Sequence, residues 1–246
     1  MKTIMLMPDT HAPYEDKRAV SVFITALATV QPAELMILGD FLDCKAPARW
    51  SRGLAEEYVF SLEEEAAAGI RTLERIRAVY RGPIRFLLGN HEDRIQNYIE
   101  KYAPALIGVA RTVPELLEFE RFGVELMDQP YGIAPGVRAI HGKRLSSTQQ
   151  AAGQSAYKER MRLGHSIVQG HTHRLGVGWD TQERSRFWLE AGCLLDLRKA
   201  DYLDFRGVAN WQQGFAMLHV EGSKVWPEVV PIHGGRAVLH GRQLSA

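Results

Sequence analysis

Cysteine is scarce in this chain: of 246 residues only Cys44 and Cys193 carry a thiol, and neither belongs to a CxxC pair. That excludes a disulfide-stapled scaffold and leads us to expect a reduced, cytoplasmic protein. Charge of one sign is also lacking. Thirty Lys and Arg against 29 Asp and Glu leave a net +1, which removes any global pull toward nucleic acid and leaves only local basic patches to consider. Long hydrophobic runs are missing too. Nothing approaches the ~20 apolar residues of a membrane span, so no membrane partner is expected. The opening run Met1–Met7 carries one charge, Lys2, and is ended by Pro8 and Asp9 well short of a signal-peptide core. It reads as a first buried strand. Internal repeats and low-complexity segments are absent.

What is present is the make-up of a globular α/β protein. With 46% hydrophobic residues, 246 residues are enough for one large domain over 1–246. Ile4–Met7, Leu35–Leu38 and Ile84–Leu88 are predicted strands. A helix is predicted near Lys17–Thr29, and a longer one carries Tyr58, Leu62, Ala66, Ile70, Leu73, Arg77 and Tyr80 near one stripe until Gly82-Pro83 breaks it. Three β-then-α units in a row imply right-handed crossovers and neighbouring parallel strands. Val137–Ile140, Ser166–Gln169, Phe187–Ala191 and Phe215–Val220 are further predicted strands, and Lys224–Pro231 is expected to pair with the last through a turn at Glu221-Gly222-Ser223. The proline-rich stretch 98–136 reads as an insertion near the functional site, since candidate ligands lie on both sides of it.

Five polar blocks stand at the ends of the apolar runs: Asp9–His11, Gly39–Asp43, Gly89–Glu92, His141-Gly142 and Gly170–His173. Strand ends along one sheet edge are where distant parts of a chain assemble a site. Asp9 and His11, two apart on an ending strand, face one side and suit a single ion. Asp40 has two carboxylate oxygens and can bridge two cations. Asn90 offers an amide oxygen, His171 and His173 repeat the two-residue spacing, and His141 adds another imidazole. This mixed oxygen and nitrogen set suits Mn²⁺, Fe or Zn²⁺ better than Ca²⁺. Each piece alone has a plainer reading. A DxH triplet is common, and Gly-Asp or Gly-Asn-His after a strand is often only a turn. Their conjunction is what counts, because five of nine histidines fall inside these blocks.

The ordered set D-x-H, G-D-x-x-D, G-N-H-E, H-G, G-H-x-H over Asp9 to His173 resembles the calcineurin-like metallophosphoesterase superfamily. The resemblance implies a four-layer α/β/β/α sandwich, two mixed sheets flanked by helices, with metals at the strand ends. It implies that Asp9, His11 and His173 hold one ion, that Asn90, His141 and His171 hold a second, and that Asp40 bridges them. His91 is then the histidine beside the site that binds no metal, and Asp43 the carboxylate that orients it. A plainer reading of Asp43 is a helix N-cap. The implied cofactor is a pair of divalent ions, Mn²⁺ first, with Fe, Zn²⁺, Ni²⁺ or Co²⁺ as alternatives.

The chemistry follows from such a site. A hydroxide shared by two cations ~3.5–4 Å apart forms near neutrality and attacks phosphorus in line, while His91 protonates the leaving oxygen. The expected activity is a metal-dependent phosphohydrolase, mainly a phosphodiesterase, acting on a small molecule or a nucleotide. Protein phosphatases of the superfamily, and the dinucleoside tetraphosphatases near them, carry Arg-Gly just after the second block. Here Cys44-Lys45 stands there, which argues against a monoesterase or protein phosphatase. Arg49 and Arg94 are candidate substitutes, or plain surface and helix charges. A nuclease is the alternative, with a groove near Lys143, Arg144, Lys158, Arg160 and Arg162, a stretch that equally reads as a solvated helix. An inactive interaction scaffold is disfavoured by the intact ligand set. Trp211, in a segment resembling phage-type and related bacterial members, either stacks on a base or packs under the site, and Trp50, Tyr157 and Trp179 pose the same choice. Ala191–Leu195 reads as a small-residue turn near the metals.

Overall fold

The opening apolar run forms strand β1 (Lys2–Met7), and its alternation decides the layering. Met5 and Met7 enter one core while Ile4 and Leu6 enter another, the period of two expected of a strand buried on both faces. The computed structural model describes residues 1–59, 61–143, 151–182, 185–198 and 210–246. After β1 come α1 (Lys17–Val30), β2 (Glu34–Ile37), α2 (Ala55–Val59), α3 (Leu62–Val79), β3 (Ile84–Phe86) and α4 (Asp93–Tyr102). A 3₁₀ turn at Pro104–Leu106 leads to α5 (Val113–Leu116), α6 (Phe119–Phe122), β4 (Val124–Leu126), β5 (Tyr131–Ala134) and β6 (Val137–Ile140). The remainder is α7 (Gln154–Leu163), β7 (Ser166–Gln169), β8 (Leu175–Trp179), β9 (Phe187–Ala191), β10 (Gly214–Glu221), β11 (Lys224–Pro231), β12 (Arg236–Leu239) and β13 (Arg242–Ser245).

The first sheet runs β11-β10-β1-β2-β3-β4, with β1 to β4 parallel and β10 antiparallel to both β1 and β11. The second runs β5-β6-β7-β9-β8, parallel across β6, β7 and β9. Helices α1 and α3 cover the outer face of the first sheet through Val20, Phe23, Leu27, Leu73 and Ile76. The two sheets meet across Leu6, Met36, Leu38, Val168, Leu189 and Leu218. Helix α7 covers the far face of the second sheet, Ala156 packing with Ile140 and Ile167. This is the expected α/β/β/α sandwich with two mixed sheets. Phe23 meets Phe215 edge-on at 5.4 Å in the outer core, where truncation to alanine costs about 3–5 kcal/mol. Asp16 starts α1 by accepting from the main-chain N–H groups of Arg18 and Ala19.

The periodicity predicts one helix through Tyr58 and Tyr80, but the chain forms two. Ser61 is extended (φ −108°, ψ 118°) and its side chain accepts from Glu64 N at 3.3 Å, so α3 starts afresh there. Tyr58 is accordingly 81% exposed and lies off the buried stripe. Strands β4, β5 and β8 and the β12–β13 hairpin escape sequence reading, being short or weakly alternating. The segment 98–136, read as an insertion, supplies β4 and β5, an edge strand for each sheet. Between them Gln129 donates from Nε2 to Leu88 O at 2.7 Å and accepts from His141 N at 2.6 Å, tying the two sheets' loops together. Among the described residues no helix is long and apolar enough to cross a membrane.

Candidate metal centre

Because β1, β2 and β3 are parallel, their C-terminal ends lie side by side and deliver Asp9, Asp40 and Asn90 to one edge. The parallel pair β6 and β7 brings His141, His171 and His173 from the facing sheet. Three groups of donor atoms lie within 4.8 Å of one another: Asp9, His11 and His173; Asp40, His141 and His171; and His11, Asp40 and His91. The chain reaches this convergence at a conformational cost. His11, Asp40, His171 and His173 all have positive φ, between 47° and 67°, a region L-residues with bulky side chains seldom occupy. The turns also need small residues. A Cβ on Gly89 would collide with the Asp40 carboxylate, and one on Gly170 with that of Asp9.

Around His173, the Nε2 atoms of His11 and His173 stand 3.0 Å apart, and Asp9 Oδ2 lies 3.1 Å from His173 Nε2. His11 donates its Nδ1–H to Asp43 Oδ1 at 3.0 Å, which leaves the Nε2 lone pair facing the cluster. Donors held about 2.1 Å from one ion at right angles stand about 3.0 Å apart, so this spacing suits a shared cation. Asp9 Oδ2 is buried without an aligned hydrogen bond, a costly arrangement unless a cation completes it. On the other side, His141 donates its Nδ1–H to Leu38 O at 2.9 Å and turns Nε2 toward Asn90 Oδ1, 3.0 Å away, and Asp40 Oδ2, 3.2 Å away. The same Asp40 oxygen lies 3.9 Å from His11 Nε2, so one carboxylate faces both groups. The donor set and its spacing fit two divalent cations.

The charges are mutually dependent. Burial disfavours the His141 imidazolium, but Asp40 beside it wins and lifts its pKa to about 9. His171 is driven down to about 4 by burial and by the neighbouring His141. Asp40 is held well below the usual carboxylate range: burial opposes this, and His141 and His91 outweigh it. A cation would take over the balancing role that protonated histidines otherwise play here.

His91 stands beside these groups. Its Nδ1–H goes to the main-chain oxygen of Asp43 at 2.7 Å, and the Asp43 carboxylate lies 3.2 Å from the same nitrogen. Arg94 Nη2 donates to His91 Nε2 at 2.7 Å. Asp43 thus touches His91 as the resemblance implies, and also His11.

Three supporting residues were missed in the sequence. Buried Glu92 accepts from the N–H groups of Asp40, Leu42 and Gly89 at 2.7–3.0 Å, bracing two ligand loops at once. Glu65 accepts from Cys44 and Lys45 N–H groups, and Gln129 holds His141 as described. Glu92 lies inside the third block, but two of its three partners, Asp40 and Leu42, are 52 and 50 residues away, and no local pattern announces them. Of the other candidates, Trp211 packs edge-on against His173 at 4.3 Å, and Leu194 donates its N–H to Asp9 O, which sets the Ala191–Leu195 turn against the site. Tyr157 packs on Trp188, whereas Trp50 and Trp179 are exposed. In the basic stretch, Lys143 pairs with Asp93, Arg160 with Asp180 and Arg162 with Glu159, so those three cations are already matched. Arg144 lies outside the described residues.

Comparison with known proteins agrees with this geometry. A family model described as calcineurin-like phosphoesterase matches residues 2–202. The Gene 54 protein of Mycobacterium phage L5 is 37% identical over 98% of this chain and 98% of its own length. That of Mycobacterium phage D29 is 36% identical over 98% and 97%. Among solved structures, Vacuolar Protein Sorting 29 from Cryptosporidium parvum matches with a TM-score of 0.53 and 18% identity, covering 100% of this chain and 98% of that one. Chaetomium thermophilum Vps29 matches at 0.52 and 12%, covering 100% and 99%. At such identity these structures speak for the fold alone.

Proposed function

The chain belongs to the calcineurin-like phosphoesterase family, and from that premise we propose that it is a binuclear metal-dependent phosphohydrolase acting mainly on phosphodiesters. The observation that carries this reading is the convergence of the Asp9–His11–His173 and Asp40–His141–His171 donors on one edge of the sandwich. In this reading Asp9, His11 and His173 hold one cation, Asn90, His141 and His171 hold the other, and Asp40 spans both. Mn²⁺ is the favoured ion, ahead of Fe, Zn²⁺, Ni²⁺ or Co²⁺. When bound, such a pair neutralises phosphoryl oxygens and lowers the pKa of the attacking water.

The remaining steps fall to the chain itself. Asp43 fixes the tautomer of His11 through its carboxylate and that of His91 through its carbonyl, so both rings present Nε2 to the site. Burial disfavours the His91 imidazolium, but Asp40 and Asp43 outweigh it, and in that protonated form, with Arg94 moved off the nitrogen, His91 delivers its Nε2 proton to the leaving oxygen. Preference for diesters is supported by the Cys44-Lys45 pair: Cys44 is fully buried and puts no guanidinium at the position where the superfamily's protein phosphatases carry arginine. Two buried free thiols suit a reducing, cytoplasmic setting.

The test is a side-by-side assay of the metal-reconstituted protein on a nitrophenyl phosphomonoester, a bis-nitrophenyl diester, a cyclic nucleotide and single-stranded DNA. The diester is expected to turn over fastest. Faster monoester cleavage would overturn the diesterase assignment, and turnover of none with any divalent ion would overturn the enzyme assignment. Activity confined to DNA and falling steeply with salt would make it a nuclease.

A further inference from the structure

We propose that Arg94 and Trp50 form a subsite for the leaving nucleoside of a nucleotidyl phosphodiester, Arg94 binding an ester or phosphoryl oxygen and Trp50 stacking on the base. The inference rests on the phosphodiesterase reading above and names its substrate class.

Arg94 opens α4 beside the reacting histidine. Its Nη2 donates to His91 Nε2 at 2.7 Å and its Nη1 to Asp43 O at 2.8 Å, with Cys44 O at 3.5 Å. Every one of these acceptors is neutral, and among the described residues no carboxylate lies within ion-pair distance of this guanidinium. Contrast Lys143, Arg160 and Arg162, each matched to an acid. A guanidinium held in place by carbonyls keeps its charge for an incoming anion, and its planar fork suits phosphate oxygens. An oxygen receiving a proton from His91 must come within hydrogen-bond distance of Nε2, the atom Arg94 already reaches. In binding that oxygen the guanidinium turns from the nitrogen to the ester, which frees Nε2 to carry the proton that the leaving oxygen receives.

Trp50 supplies the second half. Its ring is 52% exposed, although an indole gains much from burial. The Arg94 Cζ lies 4.9 Å from the ring centroid and the Arg49 Cζ 5.4 Å from it. Through Arg94 the ring centroid is no farther than about 9 Å from His91 Nε2, a reach that one sugar between phosphate and base can span. An exposed indole with two guanidinium groups over its ring, next to the proposed general acid, joins a π surface to the positive charge that single nucleotides and strand ends require, a base taking the place of the Arg49 guanidinium on the ring.

The experiment uses the metal-loaded full chain on dithymidine phosphodiester and on its two analogues lacking one base. In the wild type, removing the base of the leaving nucleoside is expected to lower kcat/KM about tenfold. Trp50→Ala should erase that preference, Trp50→Phe should restore most of it, and Trp226→Ala, on exposed β11, should keep it in full. Arg94→Ala should raise KM on all three substrates, with part of the effect recovered in Arg94→Lys. A wild type indifferent to the leaving base, or a Trp50→Ala variant that keeps the preference, overturns the subsite while leaving the phosphodiesterase reading intact. Should the wild type cleave none of them, that reading fails and binding decides the subsite. Thymidine monophosphate should then bind about tenfold tighter than deoxyribose phosphate to the wild type and equally to Trp50→Ala, while equal binding to the wild type overturns the proposal.

Discussion

Asp43 Oδ1 accepts the Nδ1–H of His11 at 3.0 Å. The same carboxylate oxygen lies 3.2 Å from His91 Nδ1, so one buried acid serves a proposed metal ligand and the proposed general acid together. Burial alone would raise the Asp43 pKa, yet its bonds to His11 and His91 keep it well below the usual range. In the proposed mechanism metal retention and proton delivery are therefore coupled through one side chain.

Asp43→Asn keeps the shape and removes the charge. We expect metal affinity to fall about 10–100-fold, as when a carboxylate behind a ligating histidine is lost, together with slower turnover. Isothermal titration with Mn²⁺ measures the first effect. Unchanged affinity would show that the Asp43–His11 contact does not orient a ligand.

His91→Ala separates the two roles. The variant should still bind two ions but lose about 10²–10⁴-fold in kcat, most severely with poor leaving groups. Metal content after gel filtration decides the matter, since loss of an ion would make His91 a ligand, which its place in the His11–Asp40–His91 group allows geometrically.

Chelation should destabilise the fold. Asp9, Asp40, His141 and His173 are all buried at one point, and a cation binding only the folded chain adds about 2.7 kcal/mol at a concentration of 100 Kd. The thermal midpoint is expected to fall with EDTA and to recover with Mn²⁺. A midpoint indifferent to both would argue against ions at this cluster.

Glu65 provides a pH signature outside the donor set. Burial pushes its pKa from 4.5 to about 7 against the pull of the Lys45 N–H. Between those values the folded chain binds the proton more tightly than the unfolded one. Stability from this group is thus full below pH 4.5 and is lost as pH rises through 7, by on the order of 3 kcal/mol in total. Denaturant midpoints of Glu65→Gln should slope less across that window, and an identical slope would refute the assignment.

Glu92→Ala should be among the most damaging substitutions outside the donor set. It would leave the N–H groups of Asp40, Leu42 and Gly89 buried without an acceptor, at about 1–3 kcal/mol each. Urea unfolding measures the loss. A change below 1 kcal/mol would mean that water replaces the carboxylate.

Much of the molecule was legible from local pattern. The unbroken apolar run Ile4–Met7 announces a buried strand, and the polar blocks at the strand ends announce a site before any fold is known. The errors share a cause. A stripe of apolar spacing from Tyr58 to Tyr80 says nothing about Ser61, whose extended backbone and side-chain cap divide the helix. The edge strands β4 and β5 take their identity from the sheets they join, which lie far away in sequence.

By itself the sequence determined the donor types, their order, and the strands whose ends carry them, because hydrophobic periodicity and ligand chemistry are local properties. Tertiary structure alone decided which donors meet. The parallel register of β1, β2 and β3 and the facing pair β6 and β7 bring together residues separated by up to 164 positions, as Asp9 and His173 are. It also decided that Asp43 answers to two histidines, that Glu92 braces two loops, and that Arg94, unlike Lys143, Arg160 and Arg162, hydrogen-bonds to neutral groups. Such roles depend on distances across the fold, and distance across the fold is set by packing rather than by spacing along the chain.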